Sequence, residues 1–490
     1  MLIHVRSFSW SLAVLTGMAT GAFWACSSSD GAPIPPPGIL EPPDASPQDA
    51  GPDARVEPKK LTVVALTPAN GDTNVSVQDP IQVTFSEPVK IGPSSITLET
   101  PDGTLISTRV ELSANERTIT VSPVTPQNVP SELTAHFGDI STLDGEPLPS
   151  KPAWSWKLPA WVRVGSDLLE RFNLGDASLV TGPGRRIALA AHEHDDYEKP
   201  RWSVSTLDTL HGTWTQLGGP LPLITWDPHM LLDRNGDLVV SSDNTWDKVV
   251  QRWSGTGWDK LGEPIANVRD ASDSPLAIGA QGKLLLACSE KIPGGTTTYN
   301  LIVRAFDGKG SWSPIGGPVN DSPMADPLNP HMAVDPTGVP YVAYTDPSVH
   351  VRKWTGSAWT PVGSNLPTTG GDLQWLRIAF DDGGRLFGIG MFWDGTTRVI
   401  RFDGSDWVLV GEALSTQRAN APSLVAGHDG HVFAAVYDDW SNQGFRVADI
   451  TQAGWKLESP IEHQVSALAV DRDNVPIVVA PRFGVLRLNR

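Results

Sequence analysis

The sequence predicts an all-β protein: a β-sandwich followed by a seven-bladed β-propeller of four-stranded blades. Three observations predict it. Gly and Pro are plentiful (46 and 43 of 490 residues) and Trp is unusually abundant (19), as in a chain of many turns and aromatic anchors. A phrase is written twice: Arg252–Ile265 reads RWSGTGWDKLGEPI and Lys353–Leu366 reads KWTGSAWTPVGSNL. Its second Trp returns every 44 to 54 residues, as Trp161, Trp214, Trp258, Trp312, Trp359, Trp407 and Trp455. A repeat of that length signals a propeller.

The first 25 residues are an export signal. MLIHVRSFSWSLAVLTGMATGAFWAC carries Arg6, an apolar stretch from Ser7 to Ala22, and small residues before Cys26. The segment resembles a bacterial lipoprotein signal, in which the cysteine is acylated and becomes the first mature residue. Phe23 and Trp24 depart from that pattern; Ala25 fits it. The resemblance implies lipidation at Cys26 and a membrane anchor. Ser27, in place of the Asp that retains such proteins at the inner membrane, implies an outer-membrane or cell-surface address. Ordinary secretion after Ala25, to the periplasm or beyond, is the other reading of the same residues.

Residues 26–60 are rich in Pro, Ser and Asp. They hold too little apolar surface to offset chain entropy, and their prolines keep them extended as a tether. The charge of −18 excludes a nucleic-acid partner, since phosphate binding needs a basic face. Two cysteines, Cys26 and Cys288, make no disulfide framework. Cys288 lies in an apolar run and reads as a buried structural thiol.

Residues 61–158 alternate apolar and polar positions over short runs. Seven strands are expected, including SSITLET, TLISTRVEL, RTITVSP, ELTAHFGDI and AWSWKLP, with NGD and QDP as turns. Seven strands in about a hundred residues make a sandwich. The stretch TPANGDTNVSVQDPIQVTFSEPV, Thr67–Val89, resembles the bacterial Ig-like domain of exported multidomain surface proteins, with Ser76 in place of a common Pro. That resemblance covers this domain only and implies a spacer or adhesive module.

Residues 161–490 hold the repeat. Each Trp is followed by an aliphatic residue at plus three and usually Gly at plus four: WVRVG, WTQLG, WDKLG, WSPIG, WTPVG, WVLVG, and the degenerate WKLES. Between tryptophans lie three more strands, as in HMAVD, VPYVAYTD and VHVRKWTG. The first turn of each blade places Asp or Gly three residues before Gly or Asn, suiting a hairpin that needs positive φ. The last blade lacks a fourth strand, and residues 161–165 supply it, closing the ring. The repeated Trp residues are read as packing anchors between strands.

Function is read from what the repeat does not explain. Loops from second to third and from fourth to first strands share one propeller face. They carry Trp226, Trp246, Trp393 and Trp440 with Asp243, Asp394, Asp438 and Asp439; Trp375 is placed in a fourth-to-first loop as well. Aromatic rings beside carboxylates suit a sugar, whose C–H face stacks while its hydroxyls bond to acids; capping of blade cores is the alternative. Aligning the first strands places His229, His331 and Arg377 at one level near the channel mouth, where they could hold an anion or a metal or simply cap strands. No serine elbow, phosphate loop or zincin helix is present. The Asp box of sialidase-type propellers is not matched by FDGSDW or WSGTGW. No catalytic residue, metal or cofactor is assigned. The expected protein is a monomeric cell-surface lipoprotein that binds or adheres to glycan or a surface protein. The alternatives are a polysaccharide hydrolase or lyase using acids on the Trp-rich face, and a scaffold without a small-molecule ligand.

Overall fold

The computed structural model describes residues 60–490 except 93, 167, 169–171, 184–185, 194–200, 222–227, 245–246, 269–274, 295–297, 322–327, 417–422, 438–444 and 462–463. The export signal, the tether and Cys26 lie outside the described residues.

The sandwich has two four-stranded antiparallel sheets. One runs Val63–Thr67, Ile81–Phe85, Thr118–Pro123, Thr108–Leu112; the other runs Ser155–Leu158, Ser131–Phe137, Ile96–Glu99, Leu105–Ile106. Alternation sets the faces: Ile81, Val83 and Phe85 point inward, as do Ile119 and Val121, against Ile96, Leu98, Leu133, Trp154 and Trp156. The expected single strand TLISTRVEL is two. It breaks at Ser107: Leu105–Ile106 pairs with Leu98–Glu99, whereas Thr108–Leu112 pairs with Ile119–Pro123 of the other sheet. The chain changes sheets there.

Seven four-stranded sheets follow, here called blades 1 to 7 with strands A (inner) to D (outer). Blade 2 is typical: His229–Leu232, Leu238–Asn244, Asp247–Trp253 and Trp258–Lys260. Blade 4 is Leu328–Val334, Pro340–Asp346, Ser348–Trp354 and Trp359–Pro361; blade 5 is Leu373–Phe380, Leu386–Phe392, Thr397–Phe402 and Trp407–Leu409. Blade 7 is Ala467–Val470, Pro476–Ala480 and Gly484–Leu488, with Trp161–Arg163 as its strand D, Trp161 opposite Leu488. Strand A of each blade touches strand A of the next around the whole ring. The A–B turns use positive φ where the spacing places Gly or Asn: Gly236, Gly338, Gly384 and Asn474 at 81°, 92°, 79° and 59°. The Asp that begins the turn accepts two backbone N–H groups, as Asp233 does from Asn235 and Asp237. DRNGD is thus a hairpin turn.

The apolar cores lie between blades. One cluster joins Leu261 and Val250 of blade 2 to Leu284, Leu286 and Trp312 of blade 3. Another joins Val351 and Val362 of blade 4 to Leu376, Ile378 and Trp407 of blade 5. The repeated phrase is the device that closes each seam. Its first aromatic pairs with its second across the C–D hairpin, as Trp253 with Trp258 and Phe402 with Trp407. The second Trp then reaches the preceding blade, where its indole N–H donates to a backbone carbonyl. In five blades the acceptor is the aliphatic residue at plus three: Trp214 to Val164, Trp258 to Leu217, Trp312 to Leu261, Trp359 to Ile315 and Trp407 to Val362. Trp455 and Trp161 make the same reach to Glu412 and Ser459. The following Gly turns the chain with positive φ and leaves room for the indole. A Cβ on Gly411 would lie 2.8 Å from Trp455 Nε1. The tryptophans therefore anchor blade to blade, not only strand to strand as the repeat suggests.

Sandwich and propeller belong to one compact unit. Asn489, 1% exposed, is the peg between them. Its Oδ1 accepts Val77 N–H at 2.8 Å, and its Nδ2 donates to Val75 and Pro159 carbonyls at 3.0 and 2.9 Å. Asn74 exchanges bonds in both directions with the backbone of Arg163, and His211 Nε2 sits 2.5 Å from Asp79 Oδ1. Among the described residues no helix is long and apolar enough to cross a membrane.

Candidate binding site

The channel set comes first. Strand pairing puts His229 opposite Ser241, His331 opposite Ala343 and Arg377 opposite Ile389. These are matching strand A positions in blades 2, 4 and 5. His331 Nδ1 accepts the N–H of Ile378, in the next blade, at 3.3 Å. It thus satisfies an amide of its neighbour rather than of its own strand. Burial above all, then the positive charge of Arg377 and of His229, holds this imidazole well below the usual histidine range. His331 is a neutral acceptor, which fits a strand cap better than an anion donor. Among the described residues no hydrogen bond or ion pair ties down the Arg377 guanidinium, and no group of His, Cys, Asp and Glu converges as a metal site.

The second element is the B–C turn of blade 5. Trp393 is 68% exposed. Its backbone is fixed: Trp393 N–H donates to the Asp372 carbonyl at 3.0 Å, and Asp394 N–H donates to the Gly370 carbonyl at 2.9 Å. Gly370 and Gly371, at φ of 95° and 89°, let the loop entering blade 5 lie against this turn; a Cβ on Gly371 would come 2.9 Å from Trp393 Cβ. The turn that carries the exposed indole is braced through its backbone. Asp394 is committed differently from the expectation. Its Oδ1 accepts the Thr396 N–H at 2.8 Å and the Thr396 hydroxyl at 2.7 Å. Its Oδ1 thus stabilises the turn.

Other expected residues are not brought to this place. Trp226, Trp246, Trp440, Asp438 and Asp439 lie outside the described residues. Asp243 pairs with Lys248 in the backbone of blade 2. Trp375 lies within strand A of blade 5, opposite Met391, and not in a loop. Cys288 is buried and free; burial first, then Glu290, pushes its thiol up.

The sequence reading missed a neighbouring cleft. Between strands C and D of blade 4 and the loop into blade 5 lies a cavity of about 360 Å³, lined by Ser348, His350, Asn365, Leu366, Asp372 and Trp407 among others. His350 stacks on Tyr344 at 5.2 Å, and its Nε2 lies 3.0 Å from the Asp346 carbonyl. A proton on Nε2 makes that bond and leaves Nδ1 as an acceptor in the neutral ring. The Gly370-Gly371-Asp372 stretch was the available signal, because paired glycines mark a close backbone approach.

Residues 57–157 match the family described as bacterial Ig-like domain. No curated protein matches the chain. Among solved structures, a streptogramin B lyase is 10% identical with a TM-score of 0.46, over 66% of this chain and 99% of that one. The WD40 β-propeller domain of Doa1 is 11% identical with a TM-score of 0.41, over 66% and 95%. A fucose-specific lectin from Aleuria aurantia is 11% identical with a TM-score of 0.39, over 59% and 98%. Likenesses this distant say nothing about a ligand.

Proposed function

We propose that this chain is an exported surface-binding protein that recognises glycan through the loop-bearing face of its propeller. The observation that carries the reading is Trp393. A ring that is 68% exposed offers a large apolar face to a partner, and two backbone hydrogen bonds fix the turn that carries it. The ring, on a fixed turn, has only its side-chain torsions to lose on binding. It offers a flat apolar face to sugar C–H groups, with polar residues beside it. The Ig-like domain would fix the propeller's orientation at the cell surface, and acylated Cys26 would anchor the chain to the membrane.

A glycan array with the full-length protein tests the reading. Trp393→Ala should weaken any oligosaccharide hit by about tenfold or more, the loss expected on removing one buried aromatic contact, without moving the melting temperature. A variant that binds as wild type would sink the site. An array with no hit, alongside capture of a purified surface protein lost in Trp393→Ala, would move the reading from glycan to protein. For the anchor, Cys26→Ser should shift the protein from the membrane to the soluble fraction.

A further inference from the structure

We propose that the cleft between blades 4 and 5 is a subsite for one uncharged sugar unit, with Asp372 as its hydrogen-bond acceptor and Trp393 carrying the next unit. This rests on the glycan reading above and names where a sugar would sit.

Chemistry narrows the occupant. Among the described residues no Lys or Arg lines the cleft, which disfavours an anion. Among the described lining residues Asp372 is the only carboxylate, too few for a divalent cation that takes 6–8 oxygen ligands (roughly, for calcium). What remains is a mixed surface. Leu366, Leu373 and the edge of Trp407 are apolar, while Ser348, Asn365 and His350 are polar. A sugar has the same two characters: C–H faces and hydroxyl edges. A volume of about 360 Å³ is at the small end of the ~300–1,000 Å³ usual for small-molecule sites, which suits one ring.

Asp372 stands apart from the other acids nearby. Asp394 is committed to Thr396. Asp406 accepts the N–H and hydroxyl of Ser364 and the N–H of Asn365. The Asp372 carboxylate makes no hydrogen bond or ion pair among the described residues, although it lines the cleft. A carboxylate bonded to a sugar hydroxyl is among the stronger neutral-ligand contacts. The Asp372 carbonyl meanwhile holds the Trp393 N–H at 3.0 Å. Asp372 and the Trp393 backbone are therefore neighbours, and a glycan chain with one unit in the cleft would continue onto the ring.

Titration calorimetry on the full-length protein tests this with glucose, galactose, mannose, xylose, fucose and N-acetylglucosamine and with short oligomers of each. Asp372→Ala removes a side chain that holds nothing in the fold. It should weaken a binding monosaccharide by about tenfold or more at unchanged melting temperature. Ser348→Trp, which fills the cleft from the exposed first residue of strand C, should abolish monosaccharide binding. Trp393→Ala should weaken oligomers and leave monosaccharides unaffected. If Trp393→Ala weakens oligomers but neither cleft variant changes any affinity, the subsite is wrong and the glycan reading stands. If no sugar in the panel binds the wild type, both fall together.

Discussion

The indole Nε1 of Trp407 donates to the Val362 carbonyl at 2.9 Å, across the seam between blades 4 and 5. The bond is buried, so water offers that carbonyl no substitute. Trp407→Phe should therefore cost about 1–3 kcal/mol, the penalty for stranding a buried polar group, with lost ring volume added. Trp253→Phe should cost less, because blades 3 and 5 place Phe306 and Phe402 at the same register. Urea denaturation of the two variants checks this. Equal losses would mean that ring volume, not the hydrogen bond, holds the seam.

Blade 7 takes its outer strand from the beginning of the propeller, with Trp161–Arg163 beside Gly484–Leu488. Deleting residues 161–165 removes that strand, and with it Val164, which packs against Trp214 of blade 1. The edge left behind has unpaired backbone groups. The deletion should lower the melting temperature of the whole propeller and promote self-association. A monomer that melts like the wild type would contradict the closure.

Asn489→Ala strips partners from Val75, Val77 and Pro159 at once. A loss of about 2 kcal/mol or more is expected. Because those partners lie on the sandwich and on the connection to the propeller, proteolysis near residues 159–160 should accelerate. Wild-type resistance there would show that the remaining contacts suffice.

His331 predicts an acid sensitivity. Its folded pKa is held well below the usual value by burial and by Arg377 and His229, whereas the unfolded chain takes the proton near pH 6.5. The unfolded state therefore binds more protons as pH falls below about 6.5, and stability declines in that range. Above it both states are neutral and the effect vanishes. His331→Asn keeps an acceptor for the Ile378 N–H but does not titrate. Its melting temperature should fall less than that of wild type between pH 6.5 and 5, and match wild type more closely at pH 8. Parallel pH curves would remove His331 as the cause.

Much of the fold was legible because propeller information is local. A C–D hairpin joins residues a few positions apart, so Trp253 and Trp258 announce their pairing in one phrase. The site was less legible. Trp393 stood out as a Trp outside the repeat, but nothing near Asp394 in the sequence said that its Oδ1 would accept two bonds from Thr396. His350 carried no motif, and Asp372 only the paired glycines before it.

By itself the sequence determined the all-β class, the repeat length, the hairpin turns and the alternating faces of the sandwich, because each depends on side-chain period and φ within a few residues. Only the tertiary structure decided that each repeated Trp bonds to the blade before it. The same holds for Asn489 pegging the sandwich at Val75 and Val77, for His331 capping Ile378, and for Asp372 facing a cleft beside Trp393. Those relationships join residues about 20 to 400 positions apart. A buried carbonyl or amide takes whichever partner chain closure brings within about 3 Å, and spacing along the chain carries no record of that distance.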